Sequence, residues 1–105
     1  MKNLKDILYS VSVNEVYGST DVLIRALTFD SRKVKKNDVF VAIKGTQIDG
    51  HKFIDKALKK GASVIICEEL PSNRIDKRTY IVVENSQAAL AHMAANYFDN
   101  PSNNL

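Results

Sequence analysis

Two runs in this chain, Val39-Phe40-Val41-Ala42-Ile43 and Val64-Ile65-Ile66-Cys67, contain no polar residue at any position. A strand with one wet face alternates apolar and polar residues, whereas a strand apolar throughout is covered on both faces, as in a parallel sheet. Between the runs, Phe53, Ile54, Ala57 and Leu58 fall on one helical face and Lys52, Asp55, Lys56, Lys59 and Lys60 on the other. Gly61 stands where such a helix ends, and Lys59 and Lys60 lie where the helix dipole favours cations. Strand, helix and strand in this order make a right-handed crossover with parallel strands. The expected class is therefore α/β, a small mixed, partly parallel sheet flanked by helices.

The remaining elements are read around that unit. Leu4, Ile7 and Leu8 predict a short N-terminal helix, and residues 11–13 and 15–17 alternate loosely. A single strand is expected over 23–29, running into Asp30. Asn37 and Asp38 mark a turn, and Tyr80-Ile81-Val82-Val83 reads as another strand. Ser86 is the expected cap of a last helix whose apolar face is Leu90, Met93, Ala94, Tyr97 and Phe98. Residues 1–98 are thus expected to form one domain, with the breaker-rich residues 99–105 starting a linker.

Composition removes several classes of function. Of 105 residues, 45% are hydrophobic and 26% charged, which is ordinary for a folded domain. The apolar runs are far shorter than the roughly 20 residues a membrane helix needs, and Asp6 interrupts any secretory leader. The lone Cys67 lies inside an apolar run and reads as a small buried hydrophobe. The expected location is the cytoplasm. A net charge of +3 is too small an excess to mark a nucleic-acid binder. The lysines at 33, 35 and 36 and along the helix are either solvated faces or a positive surround for an anionic small molecule.

Two polar segments hold more hydrogen-bonding groups than turning the chain requires. Asp30-Ser31-Arg32 follows one strand, and Thr46-Gln47-Ile48-Asp49-Gly50-His51 follows the next. If those strands are parallel neighbours, both segments lie at the carboxyl edge, where open α/β sheets bind ligands. The Ser31 hydroxyl and the Gln47 amide can read a heterocycle edge, the backbone of Thr46 to Ile48 adds further groups, and Phe29 or Ile48 can cover a ring. Asp30 and Arg32 read equally as a pair that caps the turn, Gly45 and Gly50 as turn geometry, and Asp49 as a helix cap.

Catalytic machinery is missing. Glycines at 18, 45, 50 and 61 fit no phosphate-loop spacing, and His51 and His92 have no partner at a metal-ligand spacing. Nothing activates Ser31 as a nucleophile. The chain reads as a binder with no catalytic residue and no metal.

The segment DSRKVKKNDVFVAIKGTQIDGHKFIDKALKKGA, about a third of the chain, resembles the N-terminal domain of the Mur ligases. Their pattern there is DSR-x-V-x-x-G-D-x-F-x-A-x-x-G-x-x-x-D-G-H-x-F-x-x-x-A-x-x-x-G-A, and Asn37 departs from its first glycine. Asn tolerates the left-handed conformation, so the turn is expected to survive. The ending Tyr97-Phe98-Asp99-Asn100-Pro101-Ser102-Asn103-Asn104-Leu105 is similar to the F-Y-x-x-P-S-x-x-L segment of the members that add the third residue of the peptidoglycan stem. The resemblance implies a domain that holds the uridine end of a UDP-N-acetylmuramoyl-dipeptide. Phe29 and Ser31 would form one contact, and Thr46, Gln47 and Ile48 the other. It also implies ATP and Mg²⁺, bound in central and C-terminal ligase domains beyond this chain, so that these residues alone are expected not to ligate. Diaminopimelate is the expected third residue. The lysine-adding and D-alanyl-D-alanine-adding members, and a free-standing nucleotide- or anion-binding module, are the alternatives. A basic module for nucleic acid is disfavoured because aromatic and basic residues do not interleave.

Overall fold

The two apolar runs lie side by side in the middle of a five-stranded sheet. The computed structural model describes residues 2–45, 49–72 and 77–98. In chain order the elements are β1 (Lys2–Asn3), α1 (Leu4–Ile7), β2 (Glu15–Tyr17), β3 (Leu23–Ile24), β4 (Leu27–Thr28), β5 (Val39–Val41), α2 (Ile54–Lys59), β6 (Val64–Cys67), β7 (Thr79–Val82) and α3 (Ser86–Phe98), with 3₁₀ turns at Ser31–Lys33 and Gly50–Phe53. The sheet order is β2-β7-β6-β5-β4. Strands β4 to β7 are parallel to their neighbours, and β2 closes one edge antiparallel to β7. This is the mixed, partly parallel sheet that the sequence predicts.

Every residue of β5 and β6 is buried, because helices cover both faces. Val39, Val41, Val64, Ile66 and Ile81 point to the side of α1 and α3, where Leu4, Ile7, Ala89 and Met93 pack. Phe40, Ile65, Tyr80 and Val82 point to the other side, against Ile54, Ala57 and Leu58 of α2. Each fully buried side chain of this size contributes about 1.5–3 kcal/mol of transfer free energy. Cys67 is buried there, and desolvation pushes its thiol up to about 11.

The expected single strand over 23–29 is broken. Strand β3 pairs with β1 in a separate antiparallel ribbon, while β4 pairs with β5. The chain changes partners at Arg25 and Ala26, where Arg25 N–H donates to Asn37 O at 2.8 Å and Val39 N–H donates to Ala26 O at 2.9 Å. Arg25 also grips the fully buried Asp38 in a bidentate pair, with Nε–Oδ1 2.8 Å and Nη2–Oδ2 2.9 Å. The Asp38 carboxylate accepts the Lys35 amide as well. Asn37 takes the left-handed conformation at φ 69°, so the turn survives without glycine.

The last helix starts differently from expectation. The Asn85 side chain accepts the Ala88 amide and is the cap, whereas Ser86 is buried in the first turn. Phe98 lies off the packed face at 76% exposure, while its neighbour Tyr97 packs against the core and bonds the Arg25 carbonyl. Residues 11–13 form no strand, although Asn14 N–H donates to Val82 O at 2.8 Å.

Candidate functional site

Strands β4 and β5 are parallel neighbours, so the segments that follow them emerge at the same edge. A cleft of about 820 Å³ opens there, within the range of small-molecule sites. Phe29 and the first 3₁₀ turn form one side, Ile43, Gly45 and Gly50 the next, and Phe53 and Lys56 extend the wall along α2. Gln87 and Leu90 of α3 line it from the other face of the sheet.

The turn carrying Ser31 is tightly held. Asp30 accepts the Arg32 amide at 2.9 Å and pairs with the Arg32 guanidinium at 3.0 and 2.9 Å. The guanidinium and amide of Arg32 draw the Asp30 carboxyl down to about 2. Lys60 reaches back from the end of α2 to donate to the Arg32 carbonyl at 2.8 Å. Asp30 and Arg32 are therefore the capping pair. Between them Ser31 is 6% exposed, and its side chain makes no hydrogen bond to any described residue. Phe29 shows the opposite character, a residue 65% exposed at the rim. An uncommitted hydroxyl beside an unburied aromatic face is an arrangement that a flat, polar-edged ring would satisfy.

The second segment folds back on the end of β5. Lys44 and Asp49 form an antiparallel bridge, and Gly50 N–H donates to Ile43 O at 2.7 Å. A Cβ on Gly50 would stand 2.7 Å from Ile43 N and 2.9 Å from Ile43 O. The glycine is needed for this close approach more than for turn geometry. Thr46, Gln47 and Ile48 lie outside the described residues.

Asp49 caps the second 3₁₀ turn by accepting the His51 amide at 2.9 Å. Its carboxylate also meets His51 Nδ1 at 2.7 Å. These bonds hold the Asp49 carboxyl below its usual range. On the far side of the ring, Nε2 accepts the Glu68 amide at 2.9 Å and the Glu69 amide at 3.3 Å. Two donors on Nε2 leave Nδ1 as the protonated nitrogen. Glu68 in turn accepts the Ser86 amide and hydroxyl, both at 2.9 Å, which lowers its carboxyl.

The structure thus brings Phe29 and Ser31 to the cleft with Gly45 and Gly50, and His92 stays exposed on α3. Sequence reasoning did not place Ile43, Lys56, Gln87 or Leu90 at the site. One signal was available for Gln87: it lies in the first turn of a helix that follows a buried strand. Among the described residues no group of three His, Cys, Asp or Glu side chains could hold a metal. No described helix is long and apolar enough to cross a membrane.

A family model described as "Mur ligase family, catalytic domain" matches residues 23–98. The UDP-N-acetylmuramoyl-L-alanyl-D-glutamate--2,6-diaminopimelate ligase of Cytophaga hutchinsonii is 45% identical over 97% of this chain and 21% of its own length. The enzyme of that name from Clostridium tetani is 42% identical over the same shares. The chain therefore spans about a fifth of the curated relatives it matches. Among solved structures, a MurF ligase from Thermotoga maritima in complex with ADP superposes with a TM-score of 0.58 and 44% identity, over 67% of this chain and 16% of that one. MurF from Acinetobacter baumannii gives a TM-score of 0.74 over 90% of this chain and 20% of that one; at 22% identity it shows the shared fold alone.

Proposed function

The chain belongs to the Mur ligase family, and from that premise we propose that it is the substrate-binding domain of the ligase adding 2,6-diaminopimelate to UDP-N-acetylmuramoyl-L-alanyl-D-glutamate. The observation that carries this reading is the pairing of exposed Phe29 with a Ser31 hydroxyl that no described residue engages, in one cleft. In the proposal the uracil ring lies on Phe29, Ser31 bonds its polar edge, and Thr46, Gln47 and Ile48 supply the facing contacts. Lys56, in the same wall, adds positive charge toward the diphosphate. The names of the relatives support diaminopimelate as the added residue. The D-alanyl-D-alanine-adding reading has the 44% identical MurF of Thermotoga maritima in its favour.

Residues 1–98 are then the domain itself, and 99–105 lead toward central and C-terminal ligase domains of a cytoplasmic enzyme. ATP and Mg²⁺ would drive ligation by activating the substrate carboxylate. The residues of this chain do not fit those groups: its glycines make no phosphate loop, and no carboxylate cluster for a cation occurs among the described residues. No step is assigned to it beyond holding the substrate.

Titration of the isotope-labelled chain with UDP tests the site. Amide shifts are expected around Phe29, Ser31, Thr46 to Ile48 and Gln87. Phe29→Ala is expected to weaken binding by about 1–3 kcal/mol, the usual cost of losing one base–aromatic stack. Shifts confined elsewhere would overturn the assignment. Ligation assays on the longer protein, with diaminopimelate, lysine and D-alanyl-D-alanine offered in parallel, decide which residue is added.

A further inference from the structure

We propose that Asp49, His51, Glu68 and Ser86 form a positioning strap, with His51 as its central residue, that fixes the spacing of the two helix starts flanking the cleft and so sets affinity for a uridine nucleotide. This deepens the reading above and rests on it. The four residues lie on the segments that follow three successive strands at the carboxyl edge of the sheet: Asp49 and His51 follow β5, Glu68 follows β6, and Ser86, the first residue of α3, follows β7. Such connecting segments are ordinarily the softest parts of an α/β domain. Here a continuous hydrogen-bonded path joins them, from Asp49 through both ring nitrogens of His51 to the Glu68 amide, then from the Glu68 carboxylate to Ser86.

Each end of the path is one wall of the cleft. His51 sits in the 3₁₀ turn that supplies Gly50 and Phe53, and Ser86 begins the helix that supplies Gln87 and Leu90. The ring is a coupler because it donates on one side and accepts two amides on the other, which the neutral imidazole does in only one tautomer. Its side chain is 13% exposed, so water does not readily replace it. The Lys44–Glu69 pair at 3.4 Å ties the first two loops again from outside. An apolar side chain at 51 would leave the Glu68 and Glu69 amides without their acceptor and let the two walls drift apart. Binding would weaken because the ligand must then order them.

Three chains are compared, the parent, His51→Leu and His51→Gln, with UDP affinity measured by calorimetry well below each melting temperature. Glutamine can accept the amides and donate to Asp49, so it separates strap chemistry from bulk. His51→Leu is expected to bind about tenfold more weakly and His51→Gln to recover most of that loss. Ring-nitrogen NMR of the parent should show Nε2 unprotonated. If His51→Leu fails to fold, Glu68→Ala, which cuts the strap at its next link, is expected to give the same weakening. Unchanged affinity in the leucine or Glu68 variant, no recovery with glutamine, or a protonated Nε2 at neutral pH overturns the strap while leaving the uridine reading intact. Absence of UDP binding by the parent overturns that reading first, and the strap as a device for affinity with it.

Discussion

Replacing Gly50 by alanine would test whether the second wall of the cleft depends on a missing side chain. The added methyl would lie 2.7 Å from Ile43 N and 2.9 Å from Ile43 O, and 3.3 Å from the Ala42 Cα. All three are backbone atoms at the end of a central strand, so no side chain can rotate away to make room. Overpacking of this kind costs about 1–3 kcal/mol. The displacement also strains the 2.7 Å bond from Gly50 N–H to Ile43 O, worth about 1 kcal/mol net. Against this, alanine restricts the unfolded chain and returns about 0.5 kcal/mol. The expected loss is therefore about 2.5 kcal/mol, which for a domain of this size lowers the melting temperature by about 10–20 °C. Urea titration followed by circular dichroism measures it, and an unchanged m-value would show that the unfolded state is not the cause. A Gly50→Ala chain that melts within about 2 °C of the parent would refute the close-approach argument, since that shift corresponds to under 0.5 kcal/mol.

Other expectations follow from separate parts of the molecule. Arg25→Met strands the fully buried Asp38 carboxylate and is expected to cost about 3–5 kcal/mol, more than Asp38→Ala, because Arg25 is half-exposed and can turn to water; chemical denaturation of both variants gives the order. Asn37→Gly should leave stability within about 0.5 kcal/mol, whereas Asn37→Val at φ 69° should lose about 1–2 kcal/mol in the same assay. The Asp30 carboxyl is held at about 2 by Arg32, below its unfolded value. Its contribution is complete above the unfolded value and is lost as pH falls through the folded one, so unfolding free energy should decline between about pH 4 and pH 2, and less steeply in Asp30→Asn. Equal slopes in the two chains would contradict the Asp30–Arg32 account. Cys67, with its thiol pushed up to about 11 by burial, should react with a thiol reagent at pH 8 only as fast as the chain unfolds.

The centre of the fold was legible because uniform apolarity over 39–43 and 64–67 has one inexpensive explanation, burial on both faces of a parallel sheet. The capping role of Asp30 was legible for a related reason: its partner Arg32 is two residues away, and local hydrogen bonds leave local patterns. What sequence reasoning missed acts across the chain. Asp38 reads as a turn residue, yet it is a buried anion whose guanidinium comes from Arg25, at the junction of β3 and β4 in the neighbouring stretch of chain. Glu68 reads as the start of a polar excursion, although it holds the first residue of α3. The break within residues 23–29 is not legible because the composition there does not change where the pairing partner does. Of the site, Phe29 and Ser31 reach the cleft, while the wall contributed by Gln87 and Leu90 depends on a helix crossing from the opposite face of the sheet.

The sheet's two outermost members are also among its shortest. On one side β4 offers two residues and on the other β2 offers three, against four each in β6 and β7. A free edge is where a second chain could add itself by main-chain bonding, and the length available sets how firmly it would hold. The most strongly pairing segments lie inside, where no stranger can reach their amides. Crowded in a cell beside its own copies, the folded domain would present a foreign strand with only a brief ladder on either flank, so resistance to aggregation is part of the strand order itself.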